Sequence, residues 1–428
     1  MLNEKFLLDN FEVSGSRVDD FETLIREIDQ RTAHVQRCLK NFIVVSLKKR
    51  QDPNLNEMSG WYLEPANPAN NGHLKSCMIP KSTSVNNRME ALIDETIRSN
   101  PTMLWDTQGN AMWFVSAAAT NTMAQRIGVT GKSIREHSLE RDLFIAKKFY
   151  TDVTATLIVK QFHQIGKVFS LMSEEYVHIP LYTICIIYKD LAGESKLGPM
   201  ECEGWNVTHE RAKISFAFKE YAQEISALYG LKRPMIPCVE MTTSDIGESS
   251  FIVRGYWKTP EGAIVYDHTF SRQHRGKIDP DIIGREVQKQ IFDKYTELPE
   301  RLLELATIDI TPPGLDLQKT RDCGKNRKVV CHAFQSVLKQ LGIVSIIGKK
   351  KLMSLERCID FNLVRADMHY TAYDIVMDVF ALSQTMQSYF ESEGVSEEMV
   401  RKFREEISKA AYVDFAIKKE FADVYLTP

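Results

Sequence analysis

The chain has 428 residues, 43% of them hydrophobic and 26% charged, a composition typical of a globular protein with two or three domains. Its formal net charge of −3 excludes a surface that is basic overall but leaves room for local basic patches. No apolar run approaches the roughly 20 residues of a membrane-spanning helix, and the acidic start lacks a signal-peptide core. We therefore expect a cytoplasmic protein without a membrane partner.

Residues 1–150 are predicted to form an α-rich N-terminal region that contains one hairpin. Apolar residues recur at helical spacing between residues 19 and 40, which predicts a single amphipathic helix there. Strand-forming residues on both sides of a polar turn predict a hairpin over Leu104–Val115. Ser116 is a suitable N-cap for the helix that follows this hairpin.

Residues 151–310 are predicted to form a β-rich central domain. Short segments rich in β-branched and aromatic residues follow one another, and Tyr182–Tyr188 is predicted as one of the strands. Glu248–Trp257 and Ala263–Phe270 are predicted to pair as a hairpin around the turn at Thr259–Gly262. Such sequential pairing favours an antiparallel sheet.

Residues 311–428 are predicted to form a helical C-terminal region, because long segments with helical spacing are separated by proline and glycine. The three regions together predict an α+β fold. Its central, mainly antiparallel sheet would be flanked by an α-rich N-terminal segment and a helical C-terminal segment.

Basic residues concentrate at the end of the predicted hairpin and between residues 321 and 351. Arginine and lysine side chains bind phosphate groups, and aromatic rings stack on bases. The residues predicted to bind nucleic acid are Arg272, Arg275, Lys277, Lys325, Arg327, Lys328, Lys349, Lys350, Lys351, Tyr256 and Trp257. The alternative is that the aromatic residues pack the core while the charged residues are solvated in loops.

Metal-ligating residue types occur without a strong pattern. The eight cysteines form no Cys-x-x-Cys pair, so free thiols are expected, and Cys323 with Cys331 and His332 lacks a second pair of zinc ligands. His268 and His274 lie six residues apart, which leaves a metal-dependent nuclease as a further alternative. We predict no cofactor, no metal site and no catalytic residue.

Four segments resemble an uncharacterised family found on phages and plasmids, the domain of unknown function 932. The chain resembles a divergent member of that family. The segments are Ile127–Val129 with the downstream Arg135, Val168–Tyr176, Ser244–Phe251 with Arg272–His274, and Tyr370–Ile375. The chain departs from the family pattern between Arg254 and Thr269, where it carries Lys258–Gly262. The resemblance implies a bacterial host cell and a role connected with mobile DNA.

These observations predict a phage- or plasmid-encoded nucleic-acid-binding protein without enzymatic activity. Binding or annealing of single-stranded DNA in replication or recombination is the form we expect, in a homo-oligomer. Two alternatives act through protein–protein contacts: a self-assembling structural protein, and a host-takeover or anti-defence protein that binds a cellular partner.

Overall fold

The structure is a computed structural model that describes most of the chain. The described residues are 2–49, 61–67, 100, 102–109, 111–129, 139–163, 165–194, 198–230, 233–247, 249–276, 279–348, 353, 355, 359, 364–392 and 394–415. They form an α+β fold built on two sheets.

The strands are β1 (Glu12–Gly15), β2 (Thr32–Cys38), β3 (Phe42–Lys49), β4 (Trp61–Pro65), β5 (Thr102–Asp106), β6 (Ala111–Val115), β7 (Thr154–Phe162), β8 (Ile165–Ser173), β9 (Glu201–Thr208), β10 (Ala212–Ala217), β11 (Ile236–Thr243), β12 (Phe251–Lys258) and β13 (Ile264–Arg272). The helices are α1 (Val18–Gln30), α2 (Ala117–Arg126), α3 (Leu139–Phe149), α4 (Thr183–Glu194), α5 (Lys219–Leu228), α6 (Pro280–Gln290), α7 (Glu297–Ala306), α8 (Thr320–Gln340), α9 (Ile343–Ile347), α10 (Ala372–Thr385), α11 (Gln387–Ser392) and α12 (Glu397–Ser408).

Sheet 1 has six strands in the order β1-β9-β10-β11-β12-β13, and every neighbouring pair is antiparallel. Sheet 2 has seven strands in the order β2-β7-β8-β6-β5-β3-β4. Its β6 and β8 are parallel, and its other described pairs are antiparallel. The sequence predicted one central sheet, whereas the strands between residues 32 and 173 form a sheet of their own. The predicted boundary at residue 150 falls inside sheet 2, between α3 and β7.

The predicted strand at Tyr182–Tyr188 is wrong, because this segment begins α4. Ile184, Ile187 and Leu191 recur at helical spacing and are buried. A short apolar run does not distinguish a strand from a buried helix, and β-branched residues favoured the strand. The carboxylate of Asp29 accepts the backbone N–H groups of Leu181 and Tyr182, which stabilises the start of the helix.

The single helix predicted over residues 19–40 is wrong in its second half. α1 ends at Gln30, and Thr32–Cys38 pairs with β7 as an edge strand of sheet 2.

The hairpins over β5–β6 and β12–β13 are confirmed. Ser116 caps α2 as predicted, since its hydroxyl accepts the N–H of Ala119 at 3.0 Å.

One hydrophobic core joins the inner face of sheet 1 to α1, α4 and the C-terminal helices. In β12 the odd-numbered Phe251, Val253 and Trp257 point into this core, as strand alternation requires. The C-terminal helices cover it from one side, and α12 packs against β13. Among the described residues, no helix has the length and apolar character needed to cross a membrane.

Candidate anion-binding pocket

A polar pocket lies where the end of β8, the β11–β12 connection and the segment after β13 meet. Its volume is about 340 Å³. The lining residues are Arg126, Met172, Ser173, Tyr176, Gly247, Ser249, Ser250, Gln273, His274 and Arg275. Among the described residues this lining includes two arginines and no carboxylate, so the described part of the pocket presents positive charge and hydrogen-bond donors.

The β11–β12 connection fits closely against the end of β8, and Gly247 is required for this fit. Gly247 has a φ of 76°, in the left-handed region that favours glycine. A Cβ atom at this position would lie 2.3 Å from Cε of Met172 and 3.3 Å from the ring of Tyr176. The glycine therefore lets the backbone of one sheet approach side chains of the other.

A buried ion pair lies beneath the pocket. Lys160 on β7 and Asp245 in the β11–β12 connection have side chains 1% and 2% exposed, and their charged atoms are 2.9 Å apart. Tyr176 donates its hydroxyl to the backbone carbonyl of Asp245 at 3.0 Å. The ammonium also lies 5.4 Å from the ring centre of Phe169, where a cation is favoured. The pair thus fixes the β11–β12 connection to sheet 2.

Three neutral histidines surround this ion pair. The rings of His34 and His178 are 3.8 Å apart, and His274 stacks on Tyr176 with 5.3 Å between ring centres. Burial is the main cause that lowers the pKa of all three, and it lowers that of His178 to about 3. At His34 and His178 an imidazolium would also face the Lys160 charge. The three rings are therefore neutral at physiological pH.

Asp29 contributes a carboxyl group with the opposite shift. Its carboxylate accepts two backbone N–H groups from the start of α4. Burial nevertheless raises the pKa of Asp29 to about 6. The loss of solvent is the largest effect, and together with the smaller effect of the Asp245 charge it outweighs these hydrogen bonds.

A second buried lysine lies directly opposite the first. Lys167 on β8 is the cross-strand partner of Lys160, is 1% exposed, and lies 2.7 Å from the carboxylate of Asp9. It also donates to the backbone carbonyl of Leu7 at 2.9 Å. The N-terminal segment therefore reaches sheet 2 through an ion pair, as the β11–β12 connection does.

Arg275 is the predicted residue that the structure places in the pocket. Arg272 is half-buried at the end of β13. Lys277, Lys349, Lys350 and Lys351 lie outside the described residues.

The predicted stacking role of Trp257 is wrong, because its side chain is fully buried and donates to the carboxylate of Asp267 at 3.1 Å. Tyr256 is 5% exposed on the opposite face of β12, and its hydroxyl reaches Glu203, so its ring presents little surface to a base. Both residues follow the alternative that was left open, in which the hairpin aromatics pack the fold.

The basic residues of α8 differ in their surroundings, because some contact neighbouring groups and others are exposed. Arg327 donates to the carbonyl of Val364, and Lys325 lies 4.0 Å from Asp322. Lys328 is exposed, and the exposed Arg321 and Lys339 fall on the same side of the helix at spacings of seven and eleven residues. This side, the α8 basic stripe, is defined by Arg321, Lys328 and Lys339.

The described residues contain no group of three or more histidine, cysteine or acidic side chains that could hold a metal ion. His268 lies 3.2 Å from Asp267 and 3.3 Å from Glu297. His274 instead lines the pocket and stacks on Tyr176. The two histidines considered for a nuclease thus have different surroundings.

Arg126 was not singled out from the sequence, and Gln273, Ser249 and Ser250 entered only as part of the segments that carry the family resemblance, without a predicted binding role. Lys160 and Lys167 could have been identified from the sequence, because each is a lysine within a mostly apolar strand. A lysine buried in such a strand needs a partner of opposite charge. Arg126 gave no comparable signal, because only the fold brings the end of α2 beside the segment after β13.

Searches against protein-family models, curated proteins and solved structures gave no match to this chain.

Proposed function

We propose that this protein is a non-enzymatic nucleic-acid-binding protein and that the polar pocket receives a backbone phosphate of a single strand. The observation that carries the proposal is the convergence of two arginines, three serines and Gln273 on one pocket, whose described lining holds no carboxylate. Arginine forms paired hydrogen bonds to phosphate oxygens, and serine hydroxyl and glutamine amide groups donate single ones. Such a lining suits an anion better than a cation or an apolar ligand.

The pocket joins groups from both sheets, which favours a ligand that spans them. Arg126 ends α2, a helix packed against β8, whereas Arg275 follows β13 of sheet 1. A phosphate held between them would be fixed in position by groups on separate rigid elements. The remainder of the strand would lie outside, since the volume of about 340 Å³ suits one nucleotide-sized group rather than an oligonucleotide.

The α8 basic stripe supports a second, weaker contact. It extends over about 27 Å at 1.5 Å per residue, and its exposed side chains can follow a phosphate backbone. The role in replication or recombination, the bacterial host, the cytoplasmic location and the homo-oligomer belong to the same proposal.

Fluorescence anisotropy with a labelled oligothymidylate tests this function. We expect binding at low salt, and a loss of about tenfold or more in affinity for the Arg126→Gln/Arg275→Gln variant, because two charged contacts are removed. Lys289→Gln, a neutralised exposed lysine on α6, is the matched control and should bind like the parent protein.

Absence of binding at low salt, or equal binding by the double variant and the parent, would reject the proposal. If light scattering of the same samples shows self-association without DNA while no oligonucleotide binds, the self-assembling alternative gains support instead.

A further inference from the structure

A second cavity lies between α8 and the segment that follows α7. Its volume is about 520 Å³. One wall is α8, another is the segment from Asp309 to Pro313, and Phe415 contributes a third. This size falls in the range of about 300–1,000 Å³ that is usual for small-molecule sites.

The wall formed by residues 309–313 is held rigidly. Thr311 donates its hydroxyl to the side-chain carbonyl of Asn326 at 3.0 Å and accepts the N–H of Tyr370 at 2.8 Å. Asn326 is fully buried on α8 and donates to the carbonyls of Ala366 and Met368. Two prolines follow Thr311 and restrict the backbone further. The cavity is therefore formed before any ligand arrives.

The hollow results from small side chains on α8. Val329, Ala333, Ser336, Val337 and Gln340 line the cavity at helical spacing. Leucine or phenylalanine at the central positions would close the space against the facing wall, whereas Ala333 and Ser336 leave it open. Valine, proline, isoleucine and phenylalanine side chains supply the apolar part of the remaining surface, and Asp309, Thr311, His369 and Asp414 supply its polar part.

The carboxylates of Asp309 and Asp414 line this cavity together with the imidazole of His369. The described part of the lining contains no lysine or arginine. This is notable on α8, a helix with an exposed basic stripe roughly a quarter-turn away. Asp309 is exposed and forms no ion pair with the described residues, so its carboxylate is available to a ligand cation.

We propose that this cavity binds a small amphipathic amine, with a ring-sized apolar group between α8 and the proline wall and a protonated amino group at Asp309 and Asp414. Burial of the ring supplies most of the affinity, since apolar contact is the main driving force in such pockets. The carboxylates supply the selection for positive charge through charge-assisted hydrogen bonds. This site is separate from the anion-binding pocket and does not depend on the proposed function.

Three probes that share a naphthyl ring test the proposal on the full-length protein by calorimetric titration: naphthylmethylamine, naphthalenemethanol and naphthoic acid. We expect the amine to bind about fivefold or more tightly than the alcohol, and the acid to bind least, because the head group changes from cationic to neutral to anionic. Asp309→Asn should reduce the preference for the amine to about twofold or less while leaving the alcohol unchanged.

Ser336→Phe should abolish binding of both the amine and the alcohol by filling the hollow, whereas Ser336→Ala should retain it. Asp190→Asn removes an exposed carboxylate from α4 and is the matched control for charge. Should Ser336→Phe fail to fold, as judged by circular dichroism, the Asp309→Asn comparison still decides.

The proposal is overturned if neither the amine nor the alcohol binds, if both bind equally to the parent protein, or if Asp309→Asn leaves the preference for the amine intact.

Discussion

The polar pocket and the cavity beside α8 have opposite chemistry within one chain. In the part of the chain that the structure describes, the pocket is lined by two arginines and no carboxylate, whereas the cavity is lined by two carboxylates and no lysine or arginine. A net charge of −3 gives no hint of this separation. Local charge at each site, rather than net charge, therefore decides which ligands each can select.

The two sites also differ in what holds their walls. The pocket rests on a buried ion pair between Lys160 and Asp245, which joins the two sheets. The cavity rests on neutral hydrogen bonds centred on Asn326. An unpaired buried charge costs more free energy than an unpaired amide. Substitutions at the ion pair should therefore lower the free energy of unfolding more than substitutions at Asn326.

The largest effect is expected for Asp245→Ala. It leaves the ammonium of Lys160 buried without its partner, and loss of one member of a buried pair costs about 3–5 kcal/mol. Urea denaturation followed by circular dichroism measures the change in the free energy of unfolding. Asp9→Ala is the matched control, and it should cost less because Lys167 keeps its hydrogen bond to the carbonyl of Leu7 and because the side chain of Asp9 is 25% exposed while that of Asp245 is 2% exposed. Equal losses for the two variants would contradict this account of the pocket.

A pH dependence of stability is expected from His178. Its folded pKa of about 3 lies below the unfolded value of 6.5, so the unfolded chain takes up the proton first as pH falls. Stability due to this residue is present above pH 6.5 and is lost progressively toward pH 3. Between pH 7 and pH 5 the parent protein should lose about 2 kcal/mol more than His178→Gln.

Asp29 acts in the opposite direction, because its folded pKa of about 6 lies above the unfolded value of 3.8 and stability is gained as pH falls between them. The free energy of unfolding of His178→Gln is therefore compared with that of the parent protein at each pH. Denaturation curves that shift in parallel for both proteins would refute the assignment to His178.

A smaller loss is expected for Asn326→Ala. It removes three hydrogen bonds at the wall of the cavity but leaves no buried charge, so we expect about 1.5 kcal/mol of destabilisation. Binding of naphthylmethylamine should weaken while oligonucleotide binding stays unchanged. If both binding activities fall together, the two sites are not independent.

The smallest effect is expected for Arg275→Gln alone. Loss of one phosphate contact on a single strand reduces the slope of log affinity against log salt by about 0.7. Anisotropy titrations at several salt concentrations measure this slope, and Lys289→Gln should leave it as it is in the parent protein. An unchanged slope for Arg275→Gln would remove this residue from the interface.

Local patterns in the sequence were sufficient for the α+β class and for both hairpins, because strand alternation and turn residues act over short distances. The segment Tyr182–Tyr188 was mispredicted because its helix depends on Asp29, a residue about 150 positions away in the chain. Long-range partners of this kind leave no local pattern.

The candidate site was predictable only in part. Arg275 was found from local charge. Trp257 was misassigned because the sequence of β12, with aromatic and apolar residues on both faces, could not show which face is buried. Arg126 joins the pocket through the packing of α2 on β8, and Asp309 joins the cavity through a bend after α7. These juxtapositions arise from tertiary structure alone.

The facing lysines on β7 and β8 have a consequence for how the chain folds. As an isolated hairpin, these strands would place two positive charges opposite each other on an apolar face, an arrangement that repels. Asp9 arrives from the N-terminal segment and Asp245 from sheet 1, so neutralisation requires distant parts of the chain. We therefore expect the β7–β8 hairpin to be weakly stable by itself and to reach full stability only when the carboxylates of Asp9 and Asp245 are in place.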